Sequence, residues 1–503
     1  MRNLTPRPHA LRERSRSLID VELDPAQRAA VSQPAGGAML VLGEAGHGKT
    51  TVALHRLAHL YRAAQGRFRA VVLVPHTALA GLLQPLVTKL GADVRVLAYD
   101  TWARWQARRA FGDIPRRESV DVAPAVMRLK RSSALQPLLR DLASRPPGRI
   151  DDDEDAPPPD TRAHAHRGDL QHLFGDGERM HTLAAHSGES ERSVAAILEH
   201  THQQFQPRAE LAYSHVDAER LVALDRHSLD LGTAAQNAST IDTEDYAVMF
   251  ELDRLRARAN GLRPTRPRPF DCIVIDEAQE LAPLELALIG RSLTRGGSLV
   301  VAGDADQRMD PAAGWESWDA TLRALRAPDY TTIELAISYR CPPHVVALAR
   351  ALRAGERPPN TVPVQRFARE AELAAWIARV AAPIVDDDPT ATICVLTRRA
   401  PLARRLAAGL RGHVPCKLVL DGDFKHHRGI DVTTVAQIKG LEFDYVVVAD
   451  VDAREYPDDP ESRRTLYVAT TRARHELVLA HIGTASPLLP EPTPAPAPSC
   501  GGV

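Results

Sequence analysis

Short apolar runs, each closed by a polar or glycine-rich turn, recur along the chain. Met39–Leu42 runs into Gly43, Ala70–Val74 into Pro75-His76-Thr77, and Val94–Tyr99 into Asp100-Thr101-Trp102. Further on, Cys272–Ile275 ends in Asp276-Glu277, and Leu299–Ala302 ends in Gly303-Asp304. Unbroken apolar runs of this length fit strands buried on both faces, as in a parallel sheet. Helical spacing lies between them, as in TVALHRLAHLY after the first run and IDTEDYAVMFELDRLRARA before the fourth. Asp24 as N-cap and Pro25 at the first helical position start an earlier helix that carries Gln27. A second series of strand-like runs, TTIEL, TICVLT, IDVTTV and YVVVAD, begins near Thr331. The pattern predicts an α/β protein with parallel sheets, crossover helices and ligands at the strand C-termini.

Breaks in this pattern set the expected domains. Residues 1–22 read as a flexible basic arm, and 23–110 with 241–330 as the first sheet domain. Residues 111–240 read as a mainly helical, partly disordered insertion, interrupted by the acidic run Asp151–Asp155 and the prolines after it. Residues 331–484 form the second sheet domain, and the proline-rich 485–503 a disordered tail.

Composition narrows the function classes. The net charge of −1 over 503 residues means that nucleic-acid contact requires a local basic surface. Cys272, Cys341, Cys394, Cys416 and Cys500 show no paired spacing, which argues against a disulfide framework and a zinc site. No uninterrupted apolar run reaches membrane-spanning length, and the basic N-terminus precedes no apolar signal core. The expectation is a cytoplasmic protein without a membrane partner.

The candidate chemistry starts at Gly43-Glu44-Ala45-Gly46-His47-Gly48-Lys49-Thr50-Thr51, which fits G-x-x-x-x-G-K-S/T between a strand and a helix. Glycines turn backbone N–H groups toward a phosphate, and the helix N-terminus adds its positive dipole end. Lys49 is expected to reach the β- and γ-phosphates and Thr50 to hold Mg²⁺. Asp276 and Glu277 match the acidic element of such nucleotide hydrolases. Asp276 is then the residue that binds Mg²⁺ through water, and Glu277 the one that polarises the attacking water.

With these elements quoted, the chain resembles superfamily 1 helicases of the UvrD/Rep/PcrA type. The matching pieces occur in family order: Gln27, GEAGHGKT, DEAQE, GDADQ, SYR, KGLEFD and LYVATTRAR. The resemblance implies two RecA-like domains with ATP and Mg²⁺ between them. It implies that Gln27 contacts adenine, that Tyr339 stacks on it, that Arg56 serves the nucleotide pocket and that Glu442 contacts the ribose. Gln307, Arg340 and Arg472 would act on the γ-phosphate. It implies 3′ to 5′ movement on single-stranded DNA or DNA junctions, with Thr77 and Thr101 near the DNA backbone. Trp102, Trp315 and Trp318 are candidate stacking platforms.

Three departures qualify this. GDADQ continues into Arg308-Met309-Asp310-Pro311 without the usual aromatic-rich segment, and VLVPHTALA lacks a threonine-phenylalanine-threonine pattern. Arg340 and Lys439 lie about one hundred residues apart, too few for a large accessory domain. The first two departures, with TVALHRLAHLY and GWESWDATL, resemble HelD, a helicase-like factor that recycles RNA polymerase using ATP. The alternative expectation is therefore a HelD-like ATPase acting on RNA polymerase.

Overall fold

The computed structural model describes residues 19, 22–112, 114–120, 122–145, 162–206, 237–308, 310–336, 341–420, 424, 429–438 and 440–490. The first sheet consists of β1 (Gly37–Gly43), β2 (Ala70–Val74), β3 (Arg95–Ala98), β4 (Phe270–Ile275), β5 (Leu293–Gly303) and β6 (Tyr330–Leu335). Their order is β3-β2-β4-β5-β1-β6, and every neighbouring pair is parallel. The connecting helices are α1 (Pro25–Val31), α2 (Lys49–Ala63), α3 (Thr77–Lys89) and α4 (Tyr99–Phe111).

Both faces of this sheet are covered. Val41, Val72, Val274 and Val300 pack into one core, while their strand neighbours Leu40, Val71, Ile273 and Leu299 pack into another. That is why the strands read as unbroken apolar runs instead of alternating ones. Because all strands run the same way, the turns after β1, β2, β3, β4 and β5 gather along one edge.

The second core extends into a helical layer of α5 (Pro124–Arg131), α6 (Leu135–Ala143), α7 (Arg162–Phe174), α8 (Gly177–Ser187) and α9 (Glu191–Phe205). It packs with α10 (Thr243–Ala259), α11 (Pro283–Ser292) and α12 (Trp318–Ala324), so it is an outgrowth of the first domain's own core. A buried charge cluster secures it. Lys130 Nζ on α5 donates to Asp242 Oδ2 at 2.6 Å and to Asp245 Oδ1 at 2.8 Å, all three side chains fully buried. His200 Nε2 on α9 lies 2.9 Å from Asp242 Oδ2.

The second sheet domain has α13 (Pro343–Ala354), β7 (Val364–Phe367), α14 (Glu370–Asp387), β8 (Ile393–Thr397), α15 (Ala400–Leu410) and β9 (Cys416–Val419). It continues with β10 (Ile430–Thr434), β11 (Phe443–Val448), α16 (Pro460–Thr470) and β12 (Ala473–Ile482). The strand order is β7-β12-β11-β8-β10-β9, again all parallel.

Two boundaries move. The strand expected to open the second domain is β6, which pairs with β1 at the edge of the first sheet, Met39 opposite Thr331. The tail expected from residue 485 is docked through 490. Leu488 and Leu489 are buried in the second core, and Ser486 Oγ donates to the Tyr456 carbonyl at 2.6 Å. A Pro-rich composition gave no hint of this anchor, since two leucines suffice to make it. The acidic run and nearly all of the basic arm lie outside the described residues.

Truncating Lys130 to alanine leaves two buried carboxylates without their cation. The expected loss is about 3–5 kcal/mol of stability, read by denaturant unfolding. An unchanged midpoint would show that the cluster does not secure the helical layer.

Candidate phosphate-binding site

The turn after β1 is built by its neighbours. Asp24 and Gln27 form a capping box at the start of α1, Asp24 Oδ1 accepting from the Gln27 N–H at 2.8 Å. Gln27 Nε2 then reaches toward the His47 carbonyl at 3.4 Å. Gly48 has φ of 83°, and a Cβ there would meet Gln27 Nε2 at 2.8 Å. Glycine is therefore needed for both conformation and close approach. The His47 ring is buried, with Nδ1 2.6 Å from the Leu335 carbonyl, which ties the turn to β6. Lys49, the first residue of α2, is 7% exposed. Its Nζ donates to the Gly43 carbonyl at 2.7 Å and the Glu44 carbonyl at 3.1 Å, with Asp304 Oδ2 at 3.7 Å. A phosphate can replace those neutral acceptors with charged ones. Thr51, the third residue of α2, is buried, and Ala45 and Gly46 complete the turn.

The acidic element lies alongside. Thr50 Oγ1 donates to Asp276 Oδ2 at 2.8 Å. Burial, and then the neighbouring Glu277 charge, push the Asp276 carboxyl up to about 7. Glu277 adopts the left-handed region, φ 55°, uncommon for a residue with a side chain. Gln279 holds it there: its Nε2 donates to Glu277 Oε2, while its Oε1 accepts from the Asp304 N–H at 3.1 Å. Asp304 Oδ2 also accepts from Gln307 Nε2 at 2.8 Å. A hydroxyl and a carboxylate are hard oxygen donors, suited to Mg²⁺ sharing its remaining positions with water and phosphate oxygens. Among the described residues no cluster of three or more His, Cys, Asp or Glu forms a separate metal cage. Sequence reasoning passed over Gln279 and Asp304, although both stand inside quoted motifs; only their hydrogen bonds reveal them as junctions.

The second domain closes over this edge. Arg472 is 4% exposed. Its Nε donates to the Val468 carbonyl at 3.0 Å and its terminal nitrogen donates to Gln307 Oε1, a contact between the two sheets. Glu44 and Ala45 face Val345, Ala349, Arg353 and Tyr467, leaving a cavity of about 10 Å³, near the size of one water. Glu442 accepts from Arg474 Nε on β12 at 3.2 Å. Tyr339 and Arg340 lie outside the described residues.

Arg56 departs from its expected place in a nucleotide pocket. It is 3% exposed and donates to the carbonyls of Val31 at 3.2 Å, Gln33 at 2.8 Å and Pro34 at 2.8 Å. Its guanidinium is spent on the segment between α1 and β1. Trp102 also departs from expectation: it is fully buried in the first domain's core, with no face for a base. Trp315 is half-buried, with the Arg308 guanidinium 5.3 Å from its ring centroid and Trp318 at 5.5 Å. Thr101 is half-buried, its N–H donating to Asp100 Oδ1. Thr77 is exposed at the N-terminus of α3 and lines a cleft of about 290 Å³ that reaches Gln437 of the second domain. That cleft is acidic: Asp100, Glu244, Glu280, Glu285 and Asp310 line it together with Arg131 and His76. Arg131 pairs with Glu285 at 3.0 Å and with Asp310.

Substituting Arg56 by alanine should leave three carbonyls short of a donor. A loss of about 2–3 kcal/mol is expected by denaturant unfolding. Full stability together with lost nucleotide affinity would restore Arg56 to the pocket.

Comparison with known proteins identifies relatives. Residues 429–480 match the UvrD-like helicase C-terminal domain. The chain is 27% identical over 408 residues to the ATP-dependent DNA helicase UvrD2 of Mycobacterium bovis (strain ATCC BAA-935 / AF2122/97). It is equally similar to UvrD2 of Mycobacterium tuberculosis (strain ATCC 25618 / H37Rv), the match covering 75% of this chain and 52% of each relative. The chain thus spans about half the length of the curated relatives it matches. Among solved structures, the C-terminal domain of a possible DNA helicase from Lactobacillus plantarum WCFS1 is 24% identical, at a TM-score of 0.25, covering 30% of this chain and 92% of that one.

Proposed function

We propose that this chain, which its domain match and its relatives support as a superfamily 1 UvrD-type helicase, is an ATP-driven motor moving 3′ to 5′ on single-stranded DNA. The observation that carries the reading is the unbroken set of contacts across the strand ends. Thr50 meets Asp276, Gln279 links Glu277 to Asp304, Asp304 meets Lys49 and Gln307, and Gln307 meets Arg472. A triphosphate in the turn after β1 touches one end of this set and the second domain the other. In this reading the 43–51 turn and Lys49 bind the phosphates, and Glu277 aligns and polarises the attacking water. Gln307 senses the γ-phosphate, and Arg472 and Arg340 offset the charge developing on it. Thr50, and Asp276 through water, would hold Mg²⁺, which would supply charge neutralisation to the phosphates. Gln27, Tyr339 and Glu442 are assigned to the adenosine. Closing and opening of the two sheets with each ATP then becomes movement along the strand.

A second reading has one observation in its favour. The cleft beside Thr77, where the family resemblance places DNA, is lined by more carboxylates than cations. A polyanion is disfavoured there, and a basic protein segment is not. This supports a HelD-like ATPase acting on RNA polymerase as the alternative.

Substitution of Lys49 by alanine should reduce ATP turnover to background. Substitution of Glu277 by glutamine should retain ATP binding and slow hydrolysis about a hundredfold or more. Normal turnover in either variant would reject that residue's role. Steady-state hydrolysis with and without single-stranded DNA separates the two readings. Strong stimulation by DNA supports the translocase; indifference to DNA with stimulation by RNA polymerase supports the alternative.

A further inference from the structure

Glu44 places a carboxylate inside the turn that is read as holding a polyanion. Its carboxylate points across the domain boundary to α13, with Oε1 2.9 Å from an Arg353 terminal nitrogen and Oε2 3.3 Å from Arg350 Nε. Arg353 Nε also lies 3.6 Å from Asp306 Oδ2, in the turn after β5. Both arginines are partly exposed, 59% for the Arg350 side chain and 39% for Arg353, so each keeps freedom to swing. Neither belongs to the motifs that carry the family resemblance, and nothing in the sequence signals which way they face.

Guanidinium groups bind carboxylate and phosphate through the same paired geometry. Glu44 therefore offers them what a phosphate would offer, at the mouth of the phosphate-binding turn. A triphosphate entering that turn brings like charge beside Glu44, and the repulsion between them weakens Glu44's hold on the turn's mouth. The apolar residues of α13 already rest on the turn, with room for about one water between them. The ion pairs of this helix with Glu44 therefore stand directly beside the turn.

We infer that Arg350 and Arg353 are phosphate-binding residues held in reserve by Glu44, whose carboxylate occupies them until ATP takes its place. The inference rests on the reading that the turn after β1 binds ATP. It assigns α13 a part in reporting the nucleotide to the second domain.

The test is a thermodynamic cycle on the full chain with E44Q, R350A/R353A and the triple variant. Affinity for a fluorescent ATP analogue with Mg²⁺ and the steady-state KM and kcat are measured for each. E44Q should tighten nucleotide binding about fivefold, because it removes the competitor. R350A/R353A should weaken it about fivefold, because it removes the donors. In the arginine-free background, the gain from E44Q should fall to less than half. If Glu44 and the arginines form only a clamp between domains, both changes shift affinity in the same direction, and the inference is overturned. An equal gain from E44Q in both backgrounds also overturns it. A folded wild-type chain that binds no ATP would reject the site assignment itself, an outcome distinct from the other two.

Discussion

Asp304 is the point on which the site turns. Its carboxylate faces the Lys49 ammonium at 3.7 Å and accepts from Gln307, while its own N–H is bonded to Gln279. A buried cation and a buried anion each cost free energy unless paired, and here each supplies the other's partner. The pairing holds Lys49 at the mouth of the phosphate turn and leaves it able to exchange partners. Through Gln279 the same residue is linked to the Glu277 carboxylate. Through Gln307 it connects to Arg472 and so to the second sheet. One carboxylate at the end of β5 thus ties the turn after β1, the turn after β4 and the second domain together.

That convergence depends on sheet geometry. β1 and β4 both pair with β5, and all three run parallel, so their C-terminal turns meet at one edge. Burial on both faces holds the strands in register, because slipping by one residue would exchange the two cores. The helical layer strengthens only one of these faces. Its buried Lys130 cluster joins α5 and α9 to the start of α10 and contributes nothing directly to the phosphate edge. Its effect on the site is indirect: α5 carries Arg131 into the acidic cleft beside Thr77.

The two sides of the domain boundary have opposite character. On the side of the turn after β1, arginines from the second domain meet carboxylates and amides of the first. On the Thr77 side, carboxylates predominate, and Arg131 is engaged by two of them. Leu79 on α3 packs so closely on Gly440 that a Cβ there would meet Leu79 Cδ2 at 2.8 Å. The phosphate side and the Thr77 side are therefore joined by packed side chains rather than by an open gap.

Much of this was legible in the residues themselves. Unbroken apolar runs gave most strands of the first sheet, because burial on both faces removes the polar alternation that would otherwise blur them. The spacing from Gly43 to Thr50 placed a turn between strand and helix, since only glycine tolerates the backbone of Gly48 against Gln27. Asp24 with Pro25 marked the start of α1 because capping is a local interaction. What depends on distant partners was not legible. β7 and β9 carry no comparable run and become strands only beside their neighbours, whereas β12 holds the apolar run Leu477–Ala480 and was legible in the residues. TTIEL reads equally well as the last strand of one sheet or the first of the next, and pairing with β1 decides it. The family resemblance implies that Arg56 is a nucleotide contact and offers Trp102 as a stacking platform, and the motif places Glu44 among the phosphate-turn residues. The fold makes them a backbone brace, a core residue and an ion-pair partner of α13. Local sequence determined the strands, the caps and the phosphate turn, because these follow from the chain's own backbone and periodicity. The tertiary structure decided which side chains meet, because a charge or a ring acquires its role from partners outside its own stretch of chain, in the next connecting segment for Arg56 and in the second domain for Glu44.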